Sequence, residues 1–437
     1  MHTVESESRE RAILVGVITH RTDRRQVEDY LDELELLADT AGAEVLERVV
    51  QVRDRIDPAF MIGRGKVDEL AQMAKYLDAD LIIFDDDLTP AQAKNIEELC
   101  GIKIIDRSGL ILDIFAKHAR TREARTQVEL AQLQYQLPRL TRQWRHLSRQ
   151  VGGIGVRGPG ETQLETDRRL IRKRIAVLES ELEKISSQRT IRRKNRQESF
   201  KVALVGYTNV GKSTLLNALT KAGVLVQDRL FATLDATVRS LDLADHCQVL
   251  LIDTVGFIRK LPHHLVASFK STLEEAAAAD LLLHLIDISH PAFEEQIRVV
   301  DGVLAELKLD DRPIIRVFNK IDRLPDQSLL QYHAVHSQPC VFISAERGIH
   351  LSHLLAVLTE QVEKSYSDME LELPMDRASV VARLYDLTTV KQIVYEHDRI
   401  LVQCRVSHPI RAKLEQWREK GWAGNGVETL YSTGNPS

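Results

Sequence analysis

Gly206-Tyr207-Thr208-Asn209-Val210-Gly211-Lys212-Ser213 is the stretch that decides the fold. It fits the spacing G-x-x-x-x-G-K-[ST], with an apolar run ending at Val205 and a helical pattern starting at Lys212. A strand that turns through glycines into a helix exposes backbone N–H groups to a phosphate. The helix N-terminus adds positive potential there. Lys212 is placed to reach the β- and γ-phosphates, and the Ser213 hydroxyl to ligate Mg²⁺.

Working outward, three more elements follow apolar runs in the order such a site needs. Asp253-Thr254-Val255-Gly256 follows Val249–Ile252, so its carboxylate lies at a strand's carboxyl end, where it can hold Mg²⁺ through water. The Gly256 N–H is positioned to meet a γ-phosphate and couple the following segment to the nucleotide state. Asn319-Lys320-Ile321-Asp322 follows Ile314–Phe318. A carboxylate at Asp322 can accept from guanine N1–H and the 2-amino group. Adenine offers neither donor and would leave the carboxylate desolvated and unpaired. Ser344-Ala345-Glu346, after Val341–Ile343, completes the base pocket through backbone contacts. The set predicts GTP and GDP as ligands and Mg²⁺ as cofactor. The threonine of the first switch is Thr233 or Thr237, and spacing does not choose between them.

The same runs define an α/β architecture. Val202–Val205, Val249–Ile252, Leu281–Ile286, Ile314–Phe318 and Val341–Ile343 alternate with helical patterns, which predicts a doubly wound, mostly parallel sheet over 199–367. Residues 1–118 repeat the alternation in a separate α/β domain, with strands at Ile13–Ile18, Val45–Val52, Leu81–Phe84 and Ile102–Ile105. Asp85-Asp86-Asp87 after the third of these reads as a solvated turn. Residues 368–437 read as a small carboxy-terminal α+β domain, with β-type runs at Val380–Leu384, Val390–Tyr395 and Ile400–Val406 before a helix around Ile410–Trp417.

Residues 119–198 differ in character. Leu130, Leu133, Leu137, Leu140, Trp144 and Leu147 form a 3-4 seam, which resumes at Leu164, Arg168, Ile171, Ile175, Leu178, Leu182 and Ile185. This predicts an antiparallel helical hairpin, kinked at Pro138, with arms on the order of 40 Å. Between Arg120 and Gln197 the balance is about +11, although the 437-residue chain carries −5 overall. A basic stalk whose glycine-rich tip bears Arg157, Gly158 and Gly160 suits insertion among RNA phosphates and unstacked bases. Four widely spaced cysteines exclude a zinc site and imply reduced thiols. No apolar run is long enough to span a membrane and the start is acidic and polar, so a cytoplasmic protein is expected.

The run from Gly152 to Arg169, GGIGVRGPGETQLETDRR, resembles the signature of the HflX family of translational GTPases. The resemblance extends to Phe60–Lys66, to Phe231-Ala232-Thr233-Leu234-Asp235 and to Asp253–Ile258. It implies that Thr233 is the switch threonine and that residues 231–235 join the GTP site. It further implies a monomer that binds the large ribosomal subunit and its rRNA, and promotes dissociation or rescue of stalled ribosomes. The family's first switch usually has proline where this chain has Ala236. Phe257 stands where many GTPases carry the glutamine that orients water, which leaves the catalytic group unassigned and predicts slow hydrolysis that ribosomes stimulate. The alternative is a regulatory GTPase acting on a protein partner, with the hairpin as a dimerisation module.

Overall fold

The computed structural model describes residues 9–142, 159–194, 200–220, 230–260, 277–324 and 339–422, apart from positions 21, 232, 235, 236, 244–247, 310, 420 and 421; of helix 159–194 only side chains 165–187 are included.

The first sheet is wholly parallel, in the order β2-β1-β3-β4, with β1 Glu10–Ile18, β2 Ala43–Val52, β3 Leu81–Phe84 and β4 Lys103–Asp106. Alternate residues of β1 feed opposite cores. Ala12 and Leu14 pack with Val27, Leu31 and Leu34 of α1 (Arg24–Ala41), while Ile13 and Val15 pack with Val67 and Leu70 of α2 (Arg64–Leu77). Both faces of the sheet are therefore covered, which is why its strands read as continuous apolar runs. Helix α1 starts in a capping box made by Asp23 and Gln26 and stops at Gly42, whose φ of 90° only glycine adopts readily. Helix α3 (Pro90–Cys100) starts at Thr89 as its N-cap, with proline at its first turn. Helix α4 (Arg107–His118) closes this unit.

Helix α5 (Arg122–Gln136) buries Ala124, Val128 and Ala131 in the same core as α1 and α4. The rest of the expected first arm, with Trp144 and Leu147, lies outside the described residues; at Pro138 the described chain breaks its α-helix. The α-helix stops before it and a 3-10 turn, Arg139–Arg142, follows. The missing N–H and the ring clash end the ladder, and Arg139 is then tied to Asp106 at 2.7 Å and to the Leu88 carbonyl at 2.9 Å. The opposing arm is α6 (Pro159–Lys194), 36 residues and about 54 Å long. Pairs Glu129–Arg174 and Arg122–Glu181 show that α5 and α6 run antiparallel. Leu178 is buried in the seam, and Arg168, Ile171, Ile175, Leu182 and Ile185 are half-buried; Arg169, Arg172, Lys173 and Lys184 face solvent. Arg157 and Gly158 lie outside the described residues, and Gly160 falls in the first turn of α6.

The second sheet has the order β10-β9-β8-β5-β7-β6, with β5 Phe200–Gly206, β6 Thr237–Asp242, β7 Gln248–Asp253, β8 Leu281–Asp287, β9 Ile314–Asn319 and β10 Cys340–Phe342. All pairs are parallel except β6 with β7. Helices α7 (Lys212–Thr220), α8 (Phe293–Glu306) and α9 (Leu351–Lys364) pack around it. Strand order reverses at β5, so a crevice opens at its carboxyl end.

In the third sheet β13 (Arg399–Ser407) lies between β11 (Tyr366–Pro374) and β12 (Thr389–Tyr395), all antiparallel. Val380–Leu384, expected as a strand, is part of helix α10 (Ala378–Leu387), and α11 spans His408–Glu419. Val380, Val381 and Leu384 recur at helical spacing and are all buried, so tertiary packing overrides the β preference of adjacent valines. Cys100, Cys340 and Cys404 are free thiols. Among the described residues no helix is long and apolar enough to cross a membrane.

Candidate nucleotide site

The carboxyl ends of β5, β7, β9 and β10 bring all four sequence elements to one edge of the second sheet. Gly206 and Gly211 are required by geometry. At Gly206 φ is 154° and a Cβ would lie 2.4 Å from the Leu285 carbonyl oxygen; at Gly211 φ is 95° and a Cβ would lie 2.5 Å from Asn319 Nδ2. Lys212 Nζ donates to the carbonyls of Tyr207 (2.7 Å) and Gly206 (3.3 Å), leaving its third donor for a ligand. Burial pushes this ammonium down to about 8, against the attraction of Asp253. The negative charge of a triphosphate would push it back up and favour the charged form further.

Ser213 Oγ lies 2.8 Å from Thr233 Oγ1 and 2.8 Å from Asp253 Oδ2. Of the two threonines left open by spacing, Thr233 thus meets the serine, whereas Thr237 begins β6. Asp253 is fully buried, its carboxyl pushed up by that burial, and its Oδ1 has no hydrogen-bond partner.

On the base side, Asn319 Nδ2 donates to the Val210 carbonyl (2.8 Å) and its Oδ1 accepts from the Ala345 N–H (2.9 Å), tying the phosphate loop to the last element. Lys320 Nζ pairs with Asp287 at 2.6 Å and donates to the Asn209 carbonyl at 2.9 Å. Asp322 is held below the usual carboxylate range, chiefly by the Ser344 hydroxyl and also by Arg347, whose Nε is 3.2 Å away. Glu346 pairs with Arg323. Ala232 and Asp235 lie outside the described residues, as does Ala236.

Phe257 is a core residue, 2% exposed, and its backbone is zipped to the phosphate loop. Its N–H donates to the Gly206 carbonyl (3.0 Å) and its carbonyl accepts from the Thr208 N–H (2.8 Å).

Sequence reasoning missed how the first domain grips these loops. Asp85 is buried, not a solvated turn. It accepts from Arg107 (2.9 Å), Arg259 (2.8 Å) and Lys260 (2.8 Å). Asp86 also pairs with Lys260. Glu33 on α1 takes Arg107 and the Tyr207 hydroxyl, and that hydroxyl accepts from the Arg259 N–H at 2.9 Å. Tyr30 donates to Glu295 at 2.9 Å, and the Arg259 guanidinium lies 3.4 Å from the centre of its ring. Phe231, at φ 57°, meets Phe115 of α4 edge-on at 4.6 Å. The one signal in the sequence was an acid directly after a wholly buried strand, Leu81–Phe84.

Three family models match in succession: a GTP-binding GTPase N-terminal region at residues 28–116, a GTP-binding GTPase Middle Region at 118–196, and a 50S ribosome-binding GTPase at 201–320. A GTPase HflX of Escherichia coli (strain K12) is 44% identical over 412 residues, 94% of this chain and 95% of that one. This chain belongs to the HflX family. A further HflX GTPase, from Caldanaerobacter subterraneus subsp. tengcongensis, is 46% identical over 414 residues, covering 94% of each chain. One from Flavobacterium psychrophilum is 53% identical over 313 residues, 72% of this chain and 76% of that one. This HflX-family protein is accordingly a P-loop GTPase, which hydrolyses GTP to GDP and phosphate, and its nucleotide domain is of the ribosome-binding kind.

Proposed function

We propose that this HflX-family GTPase binds the large ribosomal subunit in its GTP form, promotes dissociation or rescue of stalled ribosomes, and leaves after hydrolysis. The observation that carries the reading is that the segments meant to sense the γ-phosphate are also those held by the first domain. Thr233 lies beside Ser213 while its neighbour Phe231 packs on Phe115; Gly256 lies beside Lys212 while Arg259 and Lys260 are held by Asp85. A nucleotide that pulls on these loops acts on the contact between the two domains.

In this reading Gly206–Ser213 cradle the phosphates, Asp322 reads guanine, and Ser344–Glu346 close the base pocket. The donor set fits Mg²⁺: three oxygens converge and a buried carboxylate oxygen, Asp253 Oδ1, is left without a partner. Ser213 and Thr233 would hold the ion directly and Asp253 through water. The ion would supply neutralisation of charge on the β- and γ-phosphates. Lys212 anchors the phosphates from a dry pocket, where its charge acts strongly. The buried Phe257 side chain offers water no hydrogen bond, so intrinsic hydrolysis is slow and large subunits accelerate it.

The exposed Arg169, Arg172, Lys173 and Lys184 on α6 favour rRNA as the partner of the basic arm. Pelleting with ribosomes and a non-hydrolysable GTP analogue at two salt concentrations tests this. Co-sedimentation that weakens with salt is expected. Sedimentation at neither salt would instead favour a protein partner, with the hairpin as a dimerisation module.

A further inference from the structure

Two buried side-chain oxygens of the nucleotide site have no hydrogen-bond partner: Asp253 Oδ1 and Thr208 Oγ1. A buried polar atom left unpaired carries its full desolvation penalty, so a site that keeps one is organised around a ligand atom. The first oxygen has its assignment on the metal side. The second has none.

Thr208 is 6% exposed and sits where the γ-phosphate end of the crevice must be. A Cβ built on Gly256 would lie 2.8 Å from Thr208 Cα, 2.9 Å from Thr208 Cγ2 and 2.9 Å from Lys212 Nζ. Thr208, the phosphate-binding lysine and the glycine of the second switch therefore converge on one point. The Thr208 N–H is already spent on the Phe257 carbonyl, which fixes the residue's backbone. Its hydroxyl hydrogen can turn about the Cβ–Oγ1 bond, so the group can act as donor or acceptor. Phe257, which follows Gly256, is turned into the core, so its side chain brings no polar group to the point of convergence.

Resting on the GTP-site reading above, we propose that the Thr208 hydroxyl positions the attacking water of GTP hydrolysis, the task left open by Phe257. The hydroxyl accepts a hydrogen bond from the water and aims its oxygen at the γ-phosphorus. As the new P–O bond forms, the bond from the γ-phosphorus to the β–γ bridging oxygen breaks, and that electron pair stays with GDP. One water proton passes to a γ-phosphate oxygen and the other remains on the new hydroxyl of the phosphate product; Thr208 ends unchanged. Aligning water without taking its proton is a modest contribution, consistent with a slow basal rate.

The test is single-turnover hydrolysis at saturating GTP by the full chain without ribosomes, beside GDP affinity and thermal midpoint. Thr208→Val keeps the shape and removes the hydroxyl. It is expected to slow hydrolysis at least tenfold with GDP affinity within twofold, while Thr208→Ser stays within threefold of the parent rate. Should the valine variant not fold, Thr208→Ala takes its place with the same expectation. A valine or alanine variant that hydrolyses within twofold of the parent overturns the assignment. So does a serine variant as slow as valine, or a loss confined to affinity. A parent chain that binds no GDP overturns the nucleotide-site reading instead, so the two failures are told apart.

Discussion

Replacing Asp85 with alanine removes the anion on which three cations from two domains converge. Arg107 beside it is 0% exposed, Arg259 is 8% exposed at its side chain, and Lys260 is about a third exposed. Burial pulls the Arg107 guanidinium well below its ordinary range, with the nearby Arg259 charge acting in the same direction. Without Asp85, Glu33 alone would face both guanidiniums. Breaking a buried pair by deleting one partner costs about 3–5 kcal/mol, because the other charge stays desolvated. The exposed Lys260 adds little to this. A loss of about 3–5 kcal/mol is therefore expected in urea unfolding followed by circular dichroism. Asp85→Asn, which keeps an acceptor, should lose less. In a double-mutant cycle Asp85→Ala and Arg259→Ala should couple by at least about 1 kcal/mol, since they share one contact across the domain boundary. An alanine variant within about 0.5 kcal/mol of the parent would refute the view that this carboxylate holds the domains together.

Three further outcomes follow from the geometry. Asp322→Asn exchanges an acceptor for a donor, removing two charge-assisted hydrogen bonds to guanine; GDP affinity should fall at least about 100-fold while a xanthine nucleotide, with a carbonyl at C2, gains. Fluorescent-nucleotide titration reads both, and equal GDP binding by the variant contradicts the assigned role. Ser213→Ala removes the hydroxyl shared by Thr233 and Asp253, so hydrolysis should need a much higher Mg²⁺ concentration, seen in a Mg²⁺ titration of the rate; an unchanged Mg²⁺ midpoint contradicts it. His284 is buried on β8 and kept neutral down to about 3, mainly by desolvation, from an ordinary value of 6.5. Between those values the unfolded chain binds the extra proton, so this contribution is complete above about pH 6.5 and lost on acidification, by about 1.4 kcal/mol per pH unit. His284→Gln should flatten the acid side of the stability profile, and an identical slope in both proteins speaks against it.

Elements buried on both faces were legible because continuous apolar runs can hardly be anything else. Leu81–Phe84 was read to the residue, and every parallel strand of the nucleotide domain to within two. Strands with one wet face were not. In β11 the buried Met369, Leu371 and Leu373 alternate with exposed Glu370 and Glu372, and that charge masked the period of two. Edge strand β6 hid for the same reason, with only Leu241 fully inside. The positions of Lys212, Ser213, Asp253 and Asn319 were legible because the motif fixes both spacing and strand end. The contacts between the two domains, Asp85 with Arg259, Glu33 with Tyr207 and Phe115 with Phe231, were not, since each joins residues at least 116 positions apart, with nothing local to mark the pairing. At Pro138 the missing N–H and the ring clash interrupt the α-helix, and Arg139 just beyond is tied to Asp106, 33 positions away, a pairing that nothing local marks.

The most direct measurement is calorimetric titration of the full chain, and of its Lys212→Ala variant, with GDP and separately with ADP in Mg²⁺ buffer. If the crevice at β5 recognises guanine through Asp322 and phosphate through Lys212, the parent takes up one GDP per chain. ADP would then bind at least about 100-fold more weakly, and the variant would show a marked loss for GDP. Equal heats for the two nucleotides, or GDP uptake unaltered by the loss of Lys212, would contradict the account at its root.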